Sequence, residues 1–316
     1  MATIFGPVPS RRLGRSLGLD LVPLKTCSYD CIYCQLGRTT NKTVERREWL
    51  PLDQILTELR EKLSTEPDWI TLSGSGEPTL YARLEELIGG IHRLTDVPVA
   101  VLTNGSLLWQ EEVRRQLLGA DLVIPSLDAG DQPTFESVNR PHKSVSFERM
   151  LDGLAAMRRE FHGQYWLEVF VLAGYTDTQA AVERLAECVS RIRPDRVQLN
   201  TATRPTAEHY AVMVDRDKLA ELARRFTPPA EVIADYRAVH AQAGFQASAD
   251  AVLQLLQRRP CSMDDIAEGL AMHRNEVVKY VEELHANGQI EKQYSGDTLY
   301  YRGKHKITLT LQEGGT

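Results

Sequence analysis

No apolar run in the 316-residue chain approaches the roughly 18 residues that a membrane helix requires. That absence points to a soluble, cytoplasmic protein. Cysteine is scarce, with five residues in all. An odd count and no signal peptide at the start exclude a disulfide framework and point to a reducing compartment. Positive charge is also in deficit: 37 Lys and Arg face 43 Asp and Glu, a formal net charge of −6, which argues against general affinity for nucleic acid. The deficit is uneven, because residues 1–50 hold eight Lys/Arg against four Asp/Glu. A basic end can face an anionic substrate or simply be a solvated face. With 42% hydrophobic residues the chain can bury a core large enough for a catalytic domain plus an appendage.

Three of the five cysteines lie together in Cys27-Ser28-Tyr29-Asp30-Cys31-Ile32-Tyr33-Cys34, spaced Cys-x3-Cys-x2-Cys just after an apolar run at 17–22. A structural zinc site would want four ligands, and neither His92 nor Cys188 completes a set. Three thiolates can instead take three irons of a 4Fe-4S cluster, leaving the fourth without a protein partner. An open iron is where chemistry can occur. These residues resemble the cluster loop of the radical S-adenosylmethionine (SAM) superfamily, in which the open iron chelates the amino and carboxylate groups of SAM's methionine. The resemblance implies a 4Fe-4S cluster on Cys27, Cys31 and Cys34, SAM as the second cofactor, and an electron donor such as a flavodoxin or ferredoxin.

Beyond the cysteines the hydrophobic pattern alternates between strands and helices. Buried strands are expected at 68–72, 97–102, 122–126, 166–172 and 196–199, following a first strand at the apolar run. Helices are expected at 51–63, 80–94, 109–118, 147–161, 178–192 and 217–226. Six strands with interleaved helices imply a parallel sheet, and right-handed crossovers would roll it into a barrel. The expected fold is therefore α/β, a partial (β/α)6 TIM-like barrel over residues 1–226. A connector at 227–248 would lead to a small winged-helix-like domain at 249–316, with helices at 249–257, 262–270 and 274–287 and a hairpin of 289–293 with 298–302. The segment from Gly6 to Arg15, with two prolines and three arginines, makes a poor helix and a poor central strand, and is expected to be an ordered arm.

In such barrels the active site lies at the carboxyl ends of the strands. Strand two runs into Gly74-Ser75-Gly76-Glu77, which resembles the Gly-Gly-Glu motif that contacts the amino group of SAM, with Ser75 in place of the first family glycine. The next strands end in Thr103-Asn104 and in Ser126 and Asp128, where the family contacts SAM's carboxylate and ribose. Short polar residues there can equally be caps and turns. Gln198 and Asn200 stand where backbone holds the adenine, with Tyr33 packing nearby. For the substrate, Arg11, Arg12 and Arg15 form an arginine-rich arm suited to phosphate or carboxylate, and Arg140, Tyr175 and Arg204 lie in loops on the same face. His142 has the same position, although a loop histidine is more often solvated.

Within the superfamily, the Gly-Pro-Val-Pro-Ser-Arg-Arg-Leu-Gly arm and the Cys-Ser-Tyr-Asp-Cys-Ile-Tyr-Cys-Gln loop resemble a group similar to wyosine-forming tRNA enzymes. This chain lacks the three further cysteines of their second cluster. The resemblance implies reductive cleavage of SAM to a 5′-deoxyadenosyl radical that takes hydrogen from a modified nucleoside, nucleobase or tRNA. An alternative is an activase or modifying enzyme acting on a protein or peptide docked by the winged-helix domain. A third is an iron–sulfur sensor placing Arg274, Asn275 and Lys279 on DNA. Eight Lys/Arg against ten Asp/Glu in residues 249–316 speak against nucleic acid at that domain.

Overall fold

Alternating side chains divide the central sheet into two unlike faces, and that division positions everything else. The computed structural model describes residues 3–10, 12–234, 249–270, 272, 274–296 and 298–304. An eight-stranded sheet runs in the order β1 (Ile4–Ser10), β2 (Gly14–Leu19), β5 (Trp69–Leu72), β6 (Val99–Thr103), β7 (Leu122–Pro125), β8 (Gln164–Val171), β9 (Arg196–Thr201) and β10 (Glu231–Val232). The β1–β2 pair is antiparallel and every other pair is parallel. The sheet does not close on itself, since β1 and β10 are its edges. A separate short parallel pair, β3 (Thr26–Cys27) and β4 (Asn41–Lys42), ties together the two ends of the cysteine loop.

One sheet face packs on helices α1 (Leu52–Lys62), α2 (Leu84–Leu94), α3 (Glu111–Leu117), α4 (Gln132–Val138), α5 (Phe147–Glu160), α6 (Gln179–Ile192) and α7 (Arg216–Ala223). Leu17, Leu19, Ile70, Leu72, Val101 and Val169 belong to that main core. On the concave face a smaller apolar plug of Leu13, Ala100, Leu122, Ile124 and Trp166 fills the amino-terminal end. Polar side chains stand on the same face, Ser16 bonded to Thr71 across β2 and β5 at 2.5 Å among them. The face that lines the lumen is therefore partly apolar and partly polar.

Three expectations need correction. The amino-terminal arm is a strand: Pro7 and Pro9 are accommodated because β1 is an edge, where a missing N–H costs no central ladder bond. The expected helices omit α4, which Asp131 caps by accepting from the Thr134 amide at 2.8 Å. The connector contributes β10 as a seventh parallel strand, and residues 235–248 lie outside the described residues.

The carboxyl-terminal unit comprises α8 (Ala249–Arg258), α9 (Met263–Gly269), α10 (Arg274–Ala286) and the hairpin β11 (Ile290–Ser295) with β12 (Thr298–Gly303). It has its own core of Val252, Leu256, Ile266, Val281, Ile290 and Tyr301, among others. Helix α9 starts with a capping box in which Ser262 and Asp265 satisfy each other's backbone amides. The unit does not stand apart from the barrel. Val8 of β1 packs into its core, and the β1 edge is thereby covered.

Candidate active site

The cysteine loop and the glycine turn, about fifty residues apart in sequence, are joined through backbone. The Lys25 amide donates to the Ser75 carbonyl at 2.6 Å, and the Glu77 amide donates to the Thr26 carbonyl at 3.1 Å. Gly76 sits so close to Thr26 that a Cβ there would fall well inside contact distance of its carbonyl. Gly74, at φ +133°, faces Asp20 equally closely. Gly76 is needed because two backbones meet, one of them leading directly into Cys27, and Gly74 because its φ is positive and the Asp20 carboxylate fills the place of a side chain.

Cys27, Cys31 and Cys34 are half-buried free thiols on this loop. Donors are aimed at two of the sulfurs: Asn104 Nδ2 and the Tyr29 amide each lie 3.5 Å from Cys27 Sγ, and Asn139 Nδ2 lies 3.5 Å from Cys31 Sγ. Such donors fit thiolates that carry cluster charge. Burial, aided by the Glu77 carboxylate, pushes the Cys27 thiol up to about 12, and burial raises Cys31 and Cys34 as well. Loading a cluster must therefore expel protons. Among the described residues no three His, Cys, Asp or Glu side chains converge as around a single metal ion. Three free thiols on one loop, two of them facing N–H donors, are the donor set that a cluster takes, so the residues present fit the cluster.

The loop is braced from α4. The Asp30 and Ile32 amides donate to the Asn139 and Val138 carbonyls, both at 3.0 Å. Asp30 in turn accepts from Thr39 N at 2.8 Å and pairs with Arg38. Asp128 is buried and spends its carboxylate on protein: it accepts from Tyr33 Oη, from Asn139 Nδ2 at 2.7 Å and from the Phe170 amide at 3.1 Å. Burial outweighs those bonds and lifts Asp128 to about 6. Tyr33 stacks on Phe170 with centroids 4.0 Å apart. Asp128 thus holds the ring of Tyr33 and the amide of Asn139 beside Cys31.

Glu77 is also buried. It accepts from Thr79 N at 3.0 Å, Thr103 Oγ1 at 2.6 Å and Asn104 N at 2.7 Å, and burial raises its carboxyl against these bonds. Asn104 reaches Ser28 Oγ at 2.9 Å, linking strand β6 to the loop. Ser126 is half-buried at the end of β7. Gln198 is buried, and its Nε2 lies 3.4 Å from Glu231. Asn200 donates to Glu168 at 2.9 Å.

Inside the barrel is a cavity of about 240 Å³. Arg12, Asn200 and Arg204 line it, together with Gln35, which follows Cys34, and Ser73, which precedes Gly74. Arg12 pairs with Glu168 and Arg204 with Asp265 of α9 at 3.4 Å. Arg140 and Tyr175 are elsewhere: Arg140 pairs with Glu208 at 2.7 Å and donates to Tyr210 Oη at 2.6 Å, while Tyr175 faces the Tyr210 ring. His142 is satisfied locally by Ser144 at 2.8 Å. Arg15 turns outward to Thr65 and the backbone of the hairpin meets Asp68. Arg11 lies outside the described residues, as do the side chains of Arg274 and Asn275.

Sequence reasoning missed Asn139, Asp20, Arg258 and Arg259. Arg258 enters from α8, pairs with Asp20 and donates to Ser75 Oγ at 2.6 Å, and Arg259 lines the cavity. The hairpin contributes Arg302, which donates to the Leu36 carbonyl at 2.6 Å, and Tyr300, which donates to the Thr203 carbonyl at 3.0 Å. The pair Arg258-Arg259 beside Pro260 was the available signal, but nothing local says what it meets.

Comparison with known proteins agrees with the geometry. Residues 21–189 match the model of the radical SAM superfamily. A protein of Brachyspira hyodysenteriae named GTPase Obg is 40% identical over 303 residues, covering 94% of this chain and 45% of that protein. The chain thus spans under half the length of that relative. A UPF0026 protein of Helicobacter pylori strain J99 is 33% identical over 304 residues, covering 94% of this chain and 96% of its own. Among solved structures, TYW1 with a lysine-pyruvate adduct bound has a TM-score of 0.52 at 20% identity, over 68% of this chain and 74% of that one, a likeness of fold. Members of the matched family use a 4Fe-4S cluster and SAM. With the three-cysteine loop, the glycine turn and the partial barrel in agreement, the chain belongs to the radical SAM superfamily.

Proposed function

We propose that this chain cleaves SAM reductively and passes the resulting radical to a small nucleoside- or nucleobase-type substrate held in the barrel cavity. One observation carries the reading: Gln35 and Ser73 both line the cavity, so it adjoins the cysteine loop and the glycine turn together. When bound, the cluster supplies one electron to SAM, whose sulfonium–C5′ bond breaks to methionine and a 5′-deoxyadenosyl radical able to take a hydrogen atom. Cys27, Cys31 and Cys34 would hold the irons. Gly74, Ser75, Gly76, Glu77, Thr103, Asn104, Ser126, Gln198 and Asn200 would bind and orient SAM, and Tyr33 would pack beside its adenine. Asp128 would act by positioning Tyr33. The apolar plug and the carboxyl-terminal unit would limit the access of water to the lumen, which protects a radical from side reactions.

The cavity volume lies just below the usual range of small-molecule pockets, which favours a free nucleobase or nucleoside over a whole tRNA. We divide the chain into a barrel unit that includes β10 and a unit from 249 on, supported by the separate core of the last three helices and hairpin. A ferredoxin or flavodoxin would donate the electron.

The test is 5′-deoxyadenosine release by the anaerobically reconstituted, reduced protein, with nucleosides, tRNA and a protein fraction offered separately. Stimulation by nucleosides is expected. Stimulation by protein alone would replace this reading with a peptide-modifying or activase role.

A further inference from the structure

We propose, resting on the radical reading above, that Arg258 of the carboxyl-terminal unit is a positioning residue for SAM, holding the Gly74-Ser75-Gly76-Glu77 turn in its binding shape through Ser75 and Asp20. Ser75 stands where the resembled motif has glycine, and its side chain is what the last unit grips. It is buried, and each of its polar atoms has a partner. The amide donates to Asp20 Oδ1 at 2.5 Å and the carbonyl accepts from the Lys25 amide at 2.6 Å. The hydroxyl accepts from Arg258 at 2.6 Å and donates to Asp20 Oδ2 at 3.2 Å. A glycine at this position would keep the two backbone bonds and lose the two made by the hydroxyl.

Arg258 is the last residue of α8, and its approach to the turn is fixed on several sides. Its guanidinium lies over the Phe5 ring at 4.3 Å, pairs with Asp20 and donates to Ser75. The Phe5 ring fills the space where Gly18 of β2 would carry a side chain. Phe5, Asp20, Ser75 and Arg258 thus form one layer between α8 and the glycine turn. A planar fork can serve a hydroxyl and a carboxylate together, which a point charge does less well. Because Asp20 also holds the Ser75 amide, one cation orients both groups that set the direction of the turn.

The consequence runs along the chain from Ser75. Gly76 meets the Thr26 carbonyl, and the Glu77 amide donates to it at 3.1 Å. Displacing Ser75 therefore moves the residues that would take the ammonium of SAM, while the thiols sit on a segment braced separately from α4. Both Asp20 and Arg258 lie outside residues 21–189, the part of the chain that matches the superfamily model. SAM affinity in this chain should accordingly depend on a unit beyond the matched region.

The experiment is isothermal titration calorimetry of SAM onto the full-length, cluster-loaded protein, kept anaerobic and without reductant so that SAM stays intact. Iron content and visible absorbance of each variant separate loss of cluster from loss of SAM binding. Ser75→Ala keeps the backbone bonds and the pair of Arg258 with Asp20, and Arg258→Met removes the fork while keeping an unbranched side chain. Each should weaken SAM binding about tenfold. The double variant should lose no more than the worse of the two single ones, because both break the same relay. Arg258→Lys should recover part of the loss, since it keeps the charge without the fork. A contact that serves folding alone would lower the thermal midpoint and leave the SAM affinity of folded protein unchanged. Wild-type affinity in folded, cluster-loaded Ser75→Ala, or additive losses in the double variant, would overturn the assignment. If Arg258→Met does not fold, Ser75→Ala and Arg258→Lys decide. Wild-type protein that binds no SAM overturns the radical reading, whereas wild-type binding matched by every variant overturns this inference alone.

Discussion

Cys31 is held on both sides, because its neighbours Asp30 and Ile32 are tied to the end of α4 and its sulfur faces Asn139. Changing Cys31 to Ala would remove a proposed iron ligand, and both the cluster's visible absorbance and SAM cleavage should fall to background. Persisting cleavage would remove the basis for the assignment. Asn139→Ala makes a subtler prediction. An N–H donor to a cluster thiolate stabilises the more negative, reduced state, so losing it should move the reduction potential in the negative direction. A redox titration followed by electron paramagnetic resonance measures this, and an unchanged potential would mean that the amide serves Asp128 alone. The cysteines were legible because their spacing is local. Asn139 was not, since its meeting with Cys31 spans 108 positions and depends on where α4 ends.

Among the elements, α4 shows how a short helix escapes detection. Its seven residues give too few turns for an apolar period, and its cap Asp131 resembles any turn aspartate. Yet α4 delivers Val138 and Asn139 to the cysteine loop. Asp131→Ala removes the bond to Thr134 N and the pairing with Arg184 at 2.7 Å. A loss of about 1 kcal/mol is expected, readable as a drop of about 2 °C in thermal midpoint. The longer helices were legible from sequence: α6 begins after Thr178, whose side chain accepts from Ala181 N at 3.3 Å, as the 178–192 pattern implied. Strand β1 lay between these cases. Its prolines excluded a central position, but only the sheet shows that it is an edge covered by α8.

For the whole molecule, the decisive contact is Arg258 with Asp20 and Ser75. Burial lowers Arg258 to about 10, and its guanidinium also lies over the Phe5 ring at 4.3 Å. Arg258→Ala would leave Asp20 buried without its cation, at a cost of about 3 kcal/mol. Urea unfolding should show that loss, with faster amide exchange in α8 and β12. Unchanged exchange would mean that Arg302 and Tyr300 suffice to hold the unit on the barrel. The sequence alone located the three-cysteine loop, the glycine turn and the order of strands and helices. Each of these rests on spacing within a few residues or on a repeating apolar period, and both are written along the chain. Tertiary structure alone decided that the last unit packs on the barrel through Arg258 and that Arg12, Arg204 and Arg259 share one cavity. Those contacts join positions far apart in the chain, and no local pattern records which distant surface a side chain will meet.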